Sequence, residues 1–178
     1  AASTANNAAV LLAAAGARAA ALGDAEAASR KYREAESLYE QVSKSRELLL
    51  GSDDPAVASA LFNRAALACR RGLRAVAREE LQRAAAVREI ALGERSAELA
   101  EVHAALALWS VVGGGRERSA KSSLSSSSSL CLSKREARAH ARAALAVFLE
   151  LIEGENNSAV RGRHAERVAQ LRAFLGES

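Results

Sequence analysis

The chain has 178 residues, 44 of them alanine, with 21 arginines against 4 lysines and a formal net charge of +4. Aromatic residues are scarce and there is a single proline. Because alanine has the best helix propensity, and strands prefer β-branched and aromatic residues, this composition favours packed helices over a sheet. The length is that of one domain, and no apolar run reaches the roughly 18 residues of a membrane span.

The first repeat unit is predicted over residues 8–51. Its first helix has a weak apolar face made mostly of small residues, such as Gly16, which allow close approach of another helix. A turn at Gly23 leads into a second helix that runs from Asp24 to Gly51.

The second unit, residues 53–93, is the most regular. Asp54 is placed to cap a helix, and Pro55 takes the first helical position, where its missing N–H costs nothing. That helix stops at Gly72, and a second helix follows at once and ends at Gly93. Two helices joined through one glycine are expected to lie antiparallel, and neighbouring copies are needed to bury their remaining apolar surface.

The third unit spans residues 94–154, with helices predicted over 94–112 and 135–153. Between them lies a serine-rich insert, residues 116–134, which buries too little apolar surface to offset about 1–2 kcal/mol per residue of ordering and is predicted to be a mobile loop. A last helix over 158–175 carries many charged residues, which suits a helix that covers the end of a stack.

The spacing of glycines relates the units. Gly51 and Gly93 are 42 residues apart. Gly23 and Gly72 are 49 apart, and the seven extra residues make about two helical turns, which nearly preserves the phase of the apolar stripe. Gly93 and Gly154 are 61 apart, so removing the 19-residue insert restores the 42-residue step.

These features resemble the tetratricopeptide repeat (TPR), and the 42-residue step resembles the longer variant of kinesin light chains. The matching residues are Leu12, Gly16, Ala19, Ala28, Tyr32 and Ala35 in the first unit, Leu61, Ala65, Gly72, Ala77, Leu81 and Ala84 in the second, and Leu106, Ala107 and Gly114 in the third. The run LLLGSDDPAVASALFNRAALACRRG, residues 48–72, is especially similar to the kinesin-light-chain linker and first helix. The resemblance implies an all-α fold, an α-solenoid of antiparallel helix pairs with about three repeats and a C-terminal capping helix, forming one domain over residues 1–178.

In this family the first helices of successive repeats line a concave groove that receives peptides or partner helices. By motif position, the predicted partner-binding groove consists of Ser59, Phe62, Arg64, Ala66, Cys69, Arg70, Glu101, His103, Ala104, Leu108 and Val111. The lining is mainly apolar and lacks the Lys and Asn array with which chaperone-binding members hold a terminal carboxylate, so we expect an apolar or helical segment as ligand. Alternatively, helices of this chain or a further unit fill the groove.

Arg64 and His103 stand where the repeat usually has apolar residues. Either their stems pack while their polar tips reach the groove rim, or they contact a ligand.

A basic edge is predicted on the side of the Gly72 and Gly114 turns. Its residues are Arg71, Arg74, Arg116, Arg118, Lys121, Lys134, Arg135 and Arg138. Such an edge could bind RNA, an anionic membrane or an acidic protein tail. A charged face of this kind is more commonly just solvated. The excess of arginine equally fits a GC-rich genome.

No motif indicates catalysis. The three histidines have no cysteine or carboxylate at a ligand spacing, and Gly113-Gly114-Gly115-Arg116 lacks the Lys-Ser/Thr of a phosphate loop. Cys69 and Cys131 are far apart in the sequence, so we expect no disulfide framework and no zinc site. We therefore infer an intracellular setting, cytoplasmic or cytoskeletal. Mitochondria are the alternative, because residues 1–23 contain no acidic group.

The sequence therefore predicts a non-enzymatic protein–protein interaction module, an adaptor or a structural subunit of a larger assembly, that binds a peptide or helix of a protein partner without a cofactor or metal. The alternative is an RNA-associated assembly factor that uses the basic edge.

Overall fold

A computed structural model describes residues 2–109, 132–154 and 158–177. These residues form seven α-helices and no β-strand: α1 (Ala2–Ala21), α2 (Ala25–Leu50), α3 (Pro55–Arg70), α4 (Arg74–Leu92), α5 (Ala97–Trp109), α6 (Lys134–Gly154) and α7 (Ser158–Leu175). The predicted all-α class is confirmed. Residues 116–131 of the predicted serine-rich insert lie outside the described residues, as does the predicted turn at Gly114.

Aspartate caps start two of the helices. The carboxylate of Asp54 accepts a hydrogen bond from the N–H of Ala56 at 2.7 Å, and Pro55 is the first residue of α3, as the sequence predicted. The carboxylate of Asp24 accepts a hydrogen bond from the N–H of Ala27 at 2.9 Å and caps α2. Each cap satisfies an amide that has no partner within its own helix.

A capping box starts α6. The N–H of Glu136 donates to the hydroxyl of Ser133 at 3.2 Å, and the N–H of Ser133 donates to the carboxylate of Glu136 at 2.8 Å. This Ser-x-x-Glu pattern makes Ser133 the residue before the helix, which explains why α6 begins at Lys134 rather than at the predicted Arg135.

The chain divides into two compact units, which differ from the three predicted repeats and are called unit 1 and unit 2 below. Unit 1, residues 1–91, contains α1 to α4. Three-residue turns join α1 to α2 and α3 to α4. α2 and α3 run antiparallel, because Glu36 pairs with Arg71 near one end while Arg46 donates to the carbonyl of Ala56 near the other.

Small residues bring α1 close to α2. A methyl group added at Gly16 would lie 2.7 Å from two ring carbons of Tyr32, so the packing requires glycine at this position. The core around this contact consists of Ala9, Ala13, Ala28, Tyr32, Ala35, Tyr39 and Leu67, drawn from α1, α2 and α3.

Unit 2, residues 92–178, contains α5 to α7. α5 and α6 run antiparallel, because Arg95, just before α5, pairs with Glu150 late in α6, while His103 meets His140 early in α6. The core of this unit consists of Ala100, Ala104, Ala107, Ala141, Ala144, Leu145, Phe148, Val168, Leu171 and Leu175. The last three belong to α7, so the terminal helix buries its apolar residues against this core.

Candidate partner-binding site

The first candidate surface is the accessible side of α3 in unit 1. Val57, Leu61 and Ala65 are fully buried on the other side of this helix. Five of the predicted groove residues form the accessible side, which we call the α3 open face: Ser59, Phe62, Ala66 and Cys69, all half-buried, and Arg70, which is exposed. Their spacing places them along one stripe of the helix.

The α3 open face offers little polar chemistry. The hydroxyl of Ser59 already donates to the carbonyl of Pro55 at 3.0 Å. Burial raises the pKa of the Cys69 thiol, although the charges of Arg74 and Arg70 act in the opposite direction, so the thiol is neutral at physiological pH. Cys69 is therefore suited to apolar contact, and Arg70 provides the charge of this face.

α1 borders the α3 open face. The amide of Asn63 donates to the amide oxygen of Asn6 at 3.2 Å, which ties the two helices together. Asn6 belongs to α1 because this helix begins at Ala2, earlier than the predicted start at residue 8. Val10, one turn along α1 from Asn6, is 42% exposed.

A buried arginine fixes the aromatic ring of the α3 open face. The guanidinium carbon of Arg88 on α4 lies 5.2 Å from the centre of the Phe62 ring, in a cation–π contact. Arg88 is only 7% exposed. Its role was not predicted, because a single arginine on a helix does not reveal in sequence which ring it will cover.

Arg64, the other charged groove candidate of unit 1, faces α4. Its guanidinium lies 2.9 Å from the carboxylate of Glu80, which is almost wholly buried. Burial raises the pKa of the Glu80 carboxyl, while the charges of Arg64 and Arg83 partly offset that rise. The contact of Arg64 with a ligand remains a prediction, and the observed contact is internal to the α3–α4 pair.

Two of the groove candidates in unit 2, Glu101 and His103, contact side chains of other helices of the same unit. Glu101 binds the guanidinium of Arg167 on α7: Oε2 lies 3.0 Å from both Nε and Nη2, and Oε1 accepts from Nε at 3.2 Å. His103 meets His140 on α6 at 2.9 Å, and burial, followed by the charge of His140, lowers the pKa of His103. Of the other candidates, Ala104 is fully buried and Leu108 is half-buried. Val111 lies outside the described residues.

The predicted basic edge is partly neutralised within unit 1. Arg71 Nη1 lies 2.6 Å from the Glu36 carboxylate, close enough for an ion pair but without hydrogen-bonding alignment. Arg74 is half-buried.

In unit 2, Lys134 and Arg135 are exposed at the start of α6. Arg138, one turn along, donates to the carbonyl of Leu175 at 3.0 Å. Arg116, Arg118 and Lys121 lie outside the described residues. The basic edge as a whole thus remains a prediction.

The described residues lack two kinds of feature. No cluster of three or more His, Cys, Asp or Glu side chains within them is arranged to hold a metal ion. None of the helices they form is long and apolar enough to span a membrane.

Comparison with solved structures identifies the fold. The crystal structure of BtubC (BKLC) from P. vanneervenii, a kinesin-light-chain-like TPR protein, matches with a TM-score of 0.60 and 18% sequence identity. The match covers 85% of this chain and 52% of that chain, so this chain spans about half the length of its structural neighbour. The predicted TPR-like α-solenoid of helix pairs is confirmed. No protein-family model matches the chain. No curated protein matches it either.

Proposed function

We propose that this chain is a non-enzymatic protein-interaction module, an adaptor or subunit of a larger assembly, that binds a helix or peptide of a partner on the α3 open face. The observation that supports this most is the contrast along α3. One side of the helix is fully buried, while Ser59, Phe62, Ala66 and Cys69 remain accessible as a mainly apolar stripe. An apolar helix face seats in such a stripe through contacts spaced by three and four residues.

The details of the α3 open face fit a helical ligand. Ser59 and Ala66 are small, so a partner backbone can approach α3 closely. Phe62 provides one larger apolar contact, and its ring is held by Arg88, which reduces the entropy lost on binding. Arg70 at the C-terminal end of the stripe favours an acidic residue at the matching end of the ligand.

A protein partner has more support than a nucleic acid. Nucleic-acid affinity comes largely from many Lys and Arg contacts to phosphates. On unit 1, Arg71 is paired with Glu36 and Arg64 is paired with Glu80, so neither presents an unneutralised charge. The α3 open face itself carries a single arginine, Arg70.

Site-specific photocrosslinking tests the proposal. A photoreactive amino acid is placed at Ser59 or Ala66 on the α3 open face, and at the exposed Ala86 on α4 as a matched control. After irradiation in the native source, we expect the same partner protein to be crosslinked from positions 59 and 66 and not from position 86. Crosslinking from 86 with none from 59 or 66 would show that the partner binds elsewhere.

A second comparison tests the contact chemistry. Phe62→Ser should reduce the yield of that crosslinked product, because the partner loses its main apolar contact. Leu11→Ser changes a residue on α1 that is 70% exposed and should leave the yield unchanged. An equal yield with Phe62→Ser and wild type would exclude Phe62 from the interface.

A further inference from the structure

The two histidines that meet in unit 2 belong to different helices. Nδ1 of His103 on α5 and Nδ1 of His140 on α6 are 2.9 Å apart. The ring centres are 5.0 Å apart, and the ring planes differ by 21°. A hydrogen bond between two Nδ1 atoms requires one of them to carry the proton and the other to offer its lone pair. At least one ring is therefore neutral in this arrangement.

The surroundings of His103 favour its neutral form. Burial lowers the pKa of His103, and the charge of His140 lowers it further. Neutral imidazole is the form that binds metal ions. The helices that carry the rings are held together by tight packing next to them, since Ala104 on α5 and Ala141 on α6 are almost fully buried in the core of unit 2. The packing thus fixes the two helix positions from which the rings project.

The distance between the nitrogens suits two ligands of one metal ion. With metal–nitrogen bonds of about 2.0–2.1 Å, two neighbouring ligands lie about 2.9 Å apart at a right angle and about 3.3 Å apart at the tetrahedral angle. The observed separation of 2.9 Å corresponds to the right-angled case. For both Nδ1 atoms to bind one ion, the Nδ1 proton of the donor ring must move through solvent to Nε2 of the same ring, so that both rings stay neutral and both Nδ1 lone pairs are free. The rings must also turn toward a common centre.

We propose that His103 and His140 form a binding site for a late first-row divalent metal ion, such as Zn²⁺ or Cu²⁺, that bridges α5 and α6. Imidazole nitrogen is a preferred ligand of both ions. Among the described residues, no cluster of three or more His, Cys, Asp or Glu side chains includes the pair, so the proposed site rests on these two protein ligands. Two protein ligands hold the ion less tightly than the four of a structural zinc site, so the site is exchangeable. This proposal is independent of partner binding on the α3 open face.

Metal titration of the full chain tests the proposal. Isothermal titration with zinc chloride should show saturable binding of one ion per chain, and the unfolding temperature should rise with zinc concentration because the ion binds the folded state. His103→Asn and His140→Asn should each remove both effects. His103→Cys should restore zinc binding, because a thiolate is also a zinc ligand.

The third histidine provides the control. His164 packs against the ring of Phe148 in the same unit, with ring centres 5.4 Å apart. His164→Asn also removes an imidazole, but it should leave the zinc-induced shift intact even if the protein without metal unfolds at a lower temperature. Persistence of binding in both His103→Asn and His140→Asn, or no binding by wild type, would overturn the proposal.

Electron paramagnetic resonance of the wild-type chain with one equivalent of Cu²⁺ requires no substitution. Two coordinated imidazole nitrogens should give superhyperfine structure from two equivalent ¹⁴N nuclei. A spectrum without nitrogen coupling, or with coupling from one nitrogen, would show that the pair does not hold the ion.

Discussion

The guanidinium of Arg64 on α3 lies 2.9 Å from the carboxylate of Glu80 on α4, and the Glu80 side chain is only 9% exposed. The second carboxylate oxygen of Glu80 is buried and has no hydrogen-bond partner. The Arg64 side chain is 31% exposed, so Glu80 is the partner that has lost most of its water. An ion pair of this kind owes much of its apparent importance to the cost of leaving the buried charge without its partner. The pair therefore joins α3 to α4 at a considerable cost in desolvation.

Arg64→Met should destabilise the protein by about 1–3 kcal/mol, because it leaves the buried Glu80 carboxylate without its partner. The double variant Arg64→Met/Glu80→Leu should be as stable as wild type or more stable, because apolar side chains carry no desolvation cost. A cavity of about 30 Å³ beside the pair helps to accommodate them. Urea denaturation at neutral pH measures the free energy of unfolding of wild type, of Arg64→Met and of the double variant. A double variant as unstable as Arg64→Met would show that the pair contributes net stability.

The Glu80 carboxyl should also make stability depend on pH. Burial raises its pKa above the ordinary 4.5, and the charges of Arg64 and Arg83 offset only part of that rise. Because the folded-state pKa is the higher one, the contribution of this group is most favourable below the unfolded-state pKa. It is lost as pH rises from there through the folded-state pKa.

Glu80→Gln isolates this effect, because glutamine does not titrate. The free energy of unfolding of wild type minus that of Glu80→Gln should decrease as pH rises from about 4.5 and then level off once Glu80 is ionised in the folded state. Denaturation curves for both proteins across this range measure the difference. A difference that does not change with pH, or one that increases, would show that the charge of Arg64 outweighs burial.

Gly16→Ala should destabilise unit 1, although alanine is the better helix former. The added methyl group would lie 2.7 Å from the buried ring of Tyr32, and the strain of such overpacking typically costs about 1–3 kcal/mol. Gly162→Ala is the matched control. Gly162 lies in α7 with nothing within 4 Å of an added methyl group, so the same change should stabilise by about 0.5–1 kcal/mol. Thermal unfolding compares the two, and stabilisation by both would show that Tyr32 moves aside without cost.

The sequence predicts the helices because their signals are local. Asp54 and Pro55 mark a helix start by their own chemistry, and Gly16 marks a close approach by the lack of a side chain. Apolar spacing of three and four residues identifies the buried side of each helix. The TPR-like arrangement follows from the repetition of such pairs.

Contacts between polar side chains were not predictable in the same way. His103 and His140 are 37 residues apart in the chain, and their meeting depends on the register between α5 and α6. Arg64 stands out in the sequence because the repeat usually has an apolar residue there, but its partner Glu80 appears in the sequence as one more charge on a helix. Where the first helix of a TPR-like pair carries a charged residue, the sequence shows the departure and only the packing shows the partner.

The cap at the start of α3 allows a direct comparison between two adjacent aspartates. Asp54 accepts a hydrogen bond from the N–H of Ala56 at 2.7 Å, whereas the exposed Asp53 carboxylate accepts one only from the Ser52 hydroxyl, at 3.3 Å. Asp54→Ala should therefore cost about 1 kcal/mol of stability, because the first turn of α3 loses its side-chain acceptor.

Asp53→Ala removes the same charge one residue earlier and should change stability by less than about 0.5 kcal/mol, as expected for a surface position. Asp54→Asn should retain most of the wild-type stability, since asparagine also caps helices, and this separates the hydrogen bond from the charge. Urea denaturation at one pH measures the three variants together. Equal losses in Asp53→Ala and Asp54→Ala would indicate that charge near the positive end of the α3 dipole, and not the hydrogen bond to Ala56, stabilises the start of this helix.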